Sequence, residues 1–180
     1  MVEDQNFLRV KQFFFLIIFF FIFQSNSFSK NYNFQKLIEI DGPWGSSFIN
    51  NNELIFTEKN GKIKIVHKSS STVSETKHNL NYLVHGQGGL LDILFKDNFI
   101  YISYSENRGN GQSSTSIAKA KFNKNILNFK NIFQAEPPIN SGYHFGSRLA
   151  IRGNNLFASA GERGKGMIAQ DPSKHPGSII

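Results

Sequence analysis

A chain of 180 residues that contains no cysteine can form no disulfide, thiolate zinc site, iron–sulfur cluster or cysteine nucleophile, and its length ordinarily makes one domain. Its formal net charge is +7, but the lysines (Lys59, Lys62, Lys64, Lys68, Lys119, Lys121 and Lys124) are scattered and no helix or aromatic stripe collects them. That distribution describes a solvated basic surface and argues against nucleic acid as a partner.

The first predicted element stands apart from the rest. Residues 13–23 are an unbroken apolar run, preceded by Arg9 and Lys11 and followed by the small-x-small pattern Ser25-Asn26-Ser27. This is the layout of a secretory signal peptide, whose apolar core takes about 7–15 residues. A membrane-spanning helix needs about 17–25, so an uncleaved anchor is the alternative, and Glu3 and Asp4 depart from the usual basic start. Residues 1–27 are therefore read as a signal peptide that sends the chain to a bacterial periplasm or outside the cell. Residues 28–180 are read as the folded part.

Downstream, almost everything reads as strand and turn. Leu37-Ile38-Glu39-Ile40 ends in alternation. Trp44-Gly45-Ser46-Ser47-Phe48-Ile49, a polar turn and Glu53-Leu54-Ile55-Phe56-Thr57-Glu58 form a strand–turn–strand unit. Lys62-Ile63-Lys64-Ile65 alternates, with lysines on one face and isoleucines on the other. A second unit follows: Gly89-Leu90-Leu91-Asp92-Ile93-Leu94-Phe95, a turn at Lys96-Asp97-Asn98, then Phe99-Ile100-Tyr101-Ile102-Ser103-Tyr104. Residues 114–122 and 128–133 complete that sheet. A third unit runs from His144-Phe145-Gly146-Ser147-Arg148-Leu149-Ala150-Ile151 through a turn to Leu156-Phe157-Ala158-Ser159-Ala160-Gly161. Asn60-Gly61, Gly109-Asn110-Gly111 and Glu136-Pro137-Pro138 mark turns. Gly161-Glu162-Arg163-Gly164-Lys165-Gly166 lacks phosphate-loop spacing and reads as a connection between strands.

The three units recur at about 45–55 residues, near the period of a four-stranded propeller blade. The predicted class is all-β, a β-propeller of which roughly the first three blades are present. Closed propellers need about 4–8 blades, and the chain stops within an apolar strand at Ser178-Ile179-Ile180. The expectation is the N-terminal part of a larger propeller, with open blade edges that favour self-association.

His144 begins the third unit. Gln87, in Gly86-Gln87-Gly88-Gly89, precedes the matching strand of the second unit. Glu162 follows the second strand of the third unit, beside His144 if the two strands pair. A carboxylate against an imidazole orients the ring and raises its basicity, as a general base requires. A lone histidine is also commonly structural, so packing within its blade is the alternative. His67, His78, His85 and His175 show no metal-ligand pairing and read as surface positions.

These residues carry a resemblance. Pro43-Trp44-Gly45 with Thr57-Glu58-Lys59-Asn60-Gly61-Lys62, Gly86-Gln87-Gly88-Gly89-Leu90-Leu91-Asp92, Tyr101-Ile102-Ser103-Tyr104-Ser105, His144-Phe145-Gly146-Ser147-Arg148-Leu149, Ala169-Gln170-Asp171 and His175-Pro176-Gly177 run in order along the chain. Together they resemble the soluble aldose sugar dehydrogenases of the glucose/sorbosone dehydrogenase group, which depend on pyrroloquinoline quinone (PQQ). The resemblance implies a six-bladed β-propeller with PQQ and calcium, an aldose sugar as substrate, and a downstream electron acceptor. It implies that His144 is the general base that takes the anomeric hydroxyl proton as hydride passes to the quinone. Gln87 would lie close to the substrate and Glu162 would support the histidine from a position where the family usually has aspartate. Tyr143 stands where glucose-oxidising members are acidic. The family's arginine-asparagine motif, calcium loop and later PQQ-holding lysine and arginines have no counterpart here, so the 180-residue chain is expected to be an inactive part that binds PQQ weakly. The competing expectation is a non-catalytic propeller module that binds a sugar or a protein.

Overall fold

The computed structural model describes residues 32–34 and 36–180; the signal peptide expected at 1–27 lies outside them. Among the described residues there are eleven strands and one short turn of 3₁₀ helix at Gly166–Gln170, so the chain is all-β as expected.

The three sequence units are three antiparallel hairpins. β1 (Pro43–Phe48) pairs with β2 (Glu53–Glu58), β5 (Leu90–Lys96) with β6 (Phe99–Asn107), and β10 (Gly146–Arg152) with β11 (Asn155–Ala160). Between them lie β3 (Lys62–His67), β4 (Thr72–His78), β7 (Ser113–Lys121), β8 (Ile126–Leu127) and β9 (Lys130–Gln134). The first sheet has the order β1-β2-β3-β4-β8 and the second β5-β6-β7-β9, while β10 and β11 form a third. Residues 178–180 extend that third sheet: Ala158 N donates to Ile180 O at 2.6 Å and Ile180 N to Ala158 O at 2.8 Å. The second hairpin turns at Asp97 and Asn98, both at positive φ, which is the twist a two-residue hairpin loop requires.

The repeat extends below the level of strands. Each hairpin carries a register shift near the start of its first strand, at Pro43/Ser46, Leu90/Ile93 and Gly146/Leu149. A bulge leaves a backbone N–H without its ladder partner, and in all three hairpins a hydroxyl of the second strand accepts it. Gly45 N donates to Thr57 Oγ1 at 3.0 Å, Asp92 N to Ser103 Oγ at 3.0 Å, and Arg148 N to Ser159 Oγ at 3.0 Å. The first two hydroxyls then donate onward to the next hairpin, Thr57 to Leu91 O at 2.5 Å and Ser103 to Ser147 O at 2.6 Å. Neighbouring sheets are thereby fixed in step at one end.

The main core lies between the first and second sheets. Ile55, Ile63 and Ile65 from one side meet Leu90, Ile93, Ile100, Ile102, Ala118 and Ala120 from the other, all buried. Each large aliphatic side chain removed from water in this way contributes about 1.5–3 kcal/mol before entropy costs. A smaller cluster of Ile117, Leu149 and Ala158 joins the second sheet to the third.

Two expectations change, and two strands were not among those expected. Residues 37–40 form no strand, because alternation states which face a strand would bury and not whether another strand is there to pair with it. His144 does not open β10, which begins at Gly146: His144 sits at φ 48° and Gly146 at φ 69°, and neither can continue a pleat. Finally, β4 and β8 were not legible. β8 leaves the second sheet's sequence to pair in parallel with the end of β4, Lys77 opposite Ile126 and His78 opposite Leu127.

Candidate active site

Three loops meet at the end of the sheets where the bulges lie: residues 85–89 before β5, residues 139–145 before β10, and residues 161–165 after β11. Their approach is close. Gln87 N donates to Gly142 O at 2.7 Å, and a β-carbon on Gly86 would stand 2.4 Å from that same oxygen. A glycine is needed at 86 for space as well as for its φ of 56°.

His144 is at the centre. Its backbone N–H donates to Gln87 Oε1 at 2.8 Å, and its carbonyl accepts from Arg163 N at 3.3 Å. Its ring Nδ1 is hydrogen-bonded to Glu162 Oε1, which also accepts Gly164 N at 3.1 Å. The hairpin makes this pair: Gly146 is opposite Ala160, so two residues further along each arm bring His144 and Glu162 together. The contact with His144 is the chief cause that holds the Glu162 carboxyl below its ordinary value, while partial burial works against it. The carboxylate is therefore ionised at neutral pH, and it accepts a hydrogen bond from Nδ1 when that nitrogen carries the proton. Nε2 has no hydrogen bond to the described residues, and the His144 side chain is 53% exposed. This arrangement leaves Nε2 without a partner among the described residues, in a position to accept a proton from a bound hydroxyl.

The structure thus brings Gln87, His144 and Glu162 together, although Gln87 grips the backbone of His144 and not its ring. Tyr143 is exposed, its ring centroid 6.0 Å from that of His144. It borders a hollow of about 390 Å³ with His85, Asn140 and Lys165 on its walls.

Two buried charged positions beside the site escaped sequence reasoning. Asp92 is buried and accepts Leu149 N at 2.8 Å and Arg148 Nη1 at 3.1 Å, so it tethers the third hairpin to the second. Arg163 is 2% exposed, lies 3.7 Å from the centroid of the Phe145 ring and donates to a set of carbonyls behind His144. Burial alone pulls its guanidinium down to about 10, which leaves it protonated at neutral pH. An arginine between a glutamate and a glycine carries no signal of burial.

Three of the remaining histidines serve the scaffold. His78 Nε2 meets Gly61 O at 2.7 Å, His175 Nδ1 accepts Glu136 N at 2.8 Å, and His67 pairs with Glu53 at 2.9 Å. These three are half-buried, and only His85 has the exposed surface position expected of all four. No group of three or more histidine, aspartate or glutamate side chains among the described residues could hold a metal ion.

Solved structures place this fold among the sugar dehydrogenases. A soluble aldose sugar dehydrogenase from Escherichia coli in its apo-form superposes with a TM-score of 0.73 at 28% identity, over 78% of this chain and 43% of that one. The PQQ-bound aldose sugar dehydrogenase from Streptomyces coelicolor gives a TM-score of 0.69 at 21% identity, over 79% of this chain and 44% of that one, a likeness of fold. The family model described as Glucose / Sorbosone dehydrogenase matches residues 40–180, and the chain belongs to that family. Among curated proteins, aldose sugar dehydrogenase YliI of Escherichia coli K12 is 28% identical over 152 residues, 79% of this chain and 41% of its own length. The chain spans about two fifths of the length of the curated relatives it matches.

Proposed function

We propose that this chain supplies the proton-accepting side of a PQQ-dependent aldose dehydrogenase site, on the first three blades of a six-bladed β-propeller exported by a signal peptide. The observation that carries the reading is the His144–Glu162 pair, oriented by Gln87 and open at Nε2. Family membership and the sugar dehydrogenase neighbours support an oxidoreductase acting on an aldose.

In this reading the anomeric hydroxyl of the sugar hydrogen-bonds to His144 Nε2. As the C1–H bond breaks with its electron pair, Nε2 takes the hydroxyl proton, and the sugar is left as a lactone. The imidazolium so formed is stabilised by the ionised Glu162 on its other nitrogen, which turns the positive charge to advantage at the moment it develops. Gln87 holds the backbone N–H of His144, so the ring is carried by a fixed peptide. PQQ, when bound, supplies the quinone that accepts the hydride.

The described residues fit the proton acceptor and do not fit the anchoring of the cofactor. PQQ is a tricarboxylate, and the cations near His144 are mostly committed: Arg163 is buried among carbonyls and Arg148 is paired with Asp92.

The test is His144→Ala in an enzyme assembled by joining this chain to the complementary part of an active relative. General-base catalysis is worth about 10²–10⁴-fold, so kcat falls by that factor while PQQ affinity stays the same, and Glu162→Gln costs less. An alanine variant that oxidises aldoses at the parent rate would refute the assignment of the base.

A further inference from the structure

Arg163 is a buried charge with no carboxylate partner among the described residues, and the chemistry proposed for the site makes no use of it. Its donors go to backbone and hydroxyl oxygens. Nε donates to Tyr143 O at 3.1 Å, Nη1 to Ser113 O at 2.8 Å, and Nη2 to Ser113 Oγ at 3.0 Å, to Ile139 O at 3.4 Å and to Ser141 O. The guanidinium face lies 3.7 Å from the centroid of the Phe145 ring, and such stacking supports a planar cation that has been taken out of water.

The pattern of acceptors is informative. Tyr143 O belongs to the peptide that precedes His144, and His144 O, which accepts Arg163 N at 3.3 Å, to the peptide that follows it. Arg163 therefore grips both peptide planes that flank the His144 Cα, one through its side chain and one through its backbone. Those two planes define φ and ψ of His144, and φ is 48°, in the left-handed region that side chains with a β-carbon disfavour. Such a conformation persists only where the surroundings over-determine it. Gln87 also holds the first of these planes, through the His144 N–H, and Glu162 holds the ring. A charge this deeply buried is expensive, and five donors fixed in one plane make a clamp that a lysine cannot copy.

We propose that Arg163 is a positioning residue that locks the backbone of His144 in its left-handed conformation and so aims the imidazole at Glu162 and at the substrate. The claim of aim toward substrate rests on His144 being the base; the claim about the lock does not.

The experiment uses the isotope-labelled 180-residue chain, with amide exchange and the ring ¹⁵N signals of His144 as readouts. In Arg163→Gln the His144 amide exchanges at least about tenfold faster, because the loop opens locally. The ring ¹⁵N shifts of His144 also move, because the hydrogen bond of Nδ1 to Glu162 is no longer held. Amides of β3 and β6 keep their protection. Arg163→Lys, which keeps the charge and loses the planar fork, gives the same local change. Unchanged His144 signals in both variants would overturn the proposal. So would loss of β3 and β6 protection in Arg163→Lys, which would assign the residue to the fold as a whole. The kinetic test of His144→Ala reports on the base alone, so either idea can fail while the other stands.

Discussion

Gly161 is the position where a single methyl group tests the geometry of the site. It follows β11 and needs no left-handed backbone, yet a β-carbon there would lie 1.9 Å from His144 O and 2.5 Å from His144 C. An ordinary carbon–oxygen approach is about 3.3 Å, so Gly161→Ala forces a separation of about 1.4 Å between the two arms of the hairpin. The obstacle is backbone on both sides, and no flexible side chain can absorb the shift. Overpacking of this kind costs about 1–3 kcal/mol, which for a domain of this size lowers Tm by roughly 3–10 °C. The displacement falls on the residue that carries the imidazole, and a misplacement of about 1 Å can cost about 100-fold in rate. Thermal unfolding of the chain and aldose oxidation by the assembled enzyme would measure the two effects. Gly166→Ala, where nothing lies within 4 Å of an added β-carbon, is the control and should change neither. A Gly161→Ala protein with parental Tm and parental kcat would show that the 144–146 and 159–161 arms are not as close as described, and the reasoning would fail with them.

The Glu162 carboxyl should titrate below 4.5 by ¹³C NMR and return toward 4.5 in His144→Ala, since its hydrogen bond to His144 is the chief cause of the depression. A depressed carboxyl binds its proton more weakly in the folded chain than in the unfolded one. The stability it adds is thus present above about pH 4.5 and disappears as pH falls through the folded value, a loss that Glu162→Gln should not show. Tyr104 is buried and its hydroxyl is pushed up to about 12, with Glu106 adding to the effect of burial. One tyrosine should therefore resist ionisation at 295 nm until about pH 12, and folding stability should decline as pH rises from about 10 toward that value. Export should cleave the chain near Ser27, giving a mature N-terminus just beyond it on sequencing of secreted material; a protein that still begins at Met1 and stays in the membrane would contradict this.

How much of this was legible in the sequence depends on how local each determinant is. The hairpins were readable because apolar strand, polar turn and apolar strand occur together three times in the same order. That His144 and Glu162 lie close together was legible from hairpin pairing, but the exact partner was not: the register at Arg152–Asn155, carried on unbroken, sets Arg163 opposite His144, and the shift between Gly146 and Leu149 brings Glu162 there. β4 was hidden because Thr72-Val73-Ser74-Glu75-Thr76-Lys77-His78 is an exposed outer strand with one aliphatic side chain, and period-two hydrophobicity has nothing to mark there. Arg163 was hidden for a different reason. Its burial depends on carbonyls that residues 113 and 139–143 deliver from elsewhere in the chain, and no spacing near position 163 encodes them. The hydroxyls Thr57, Ser103 and Ser159 hold equivalent places in the three units, but their role emerges only with the bulges they satisfy.

The two-residue strand β8 ties the first two sheets together along the chain. It is encoded between β7 and β9, inside the stretch that builds the second sheet, yet it finishes the first. Around it, Thr76 Oγ1 donates to Lys124 O at 2.8 Å, Lys77 N to Asn125 O at 3.0 Å, and Asn79 exchanges hydrogen bonds with both ends of Phe129 at 2.8 and 3.1 Å. A chain emerging from its N-terminus therefore cannot complete one sheet and then start the next. The outer edge of β4 stays open at its far end until some fifty more residues have appeared, and it is closed by the segment that is at that moment assembling its neighbour. The sheets are interlaced in synthesis order as well as in space.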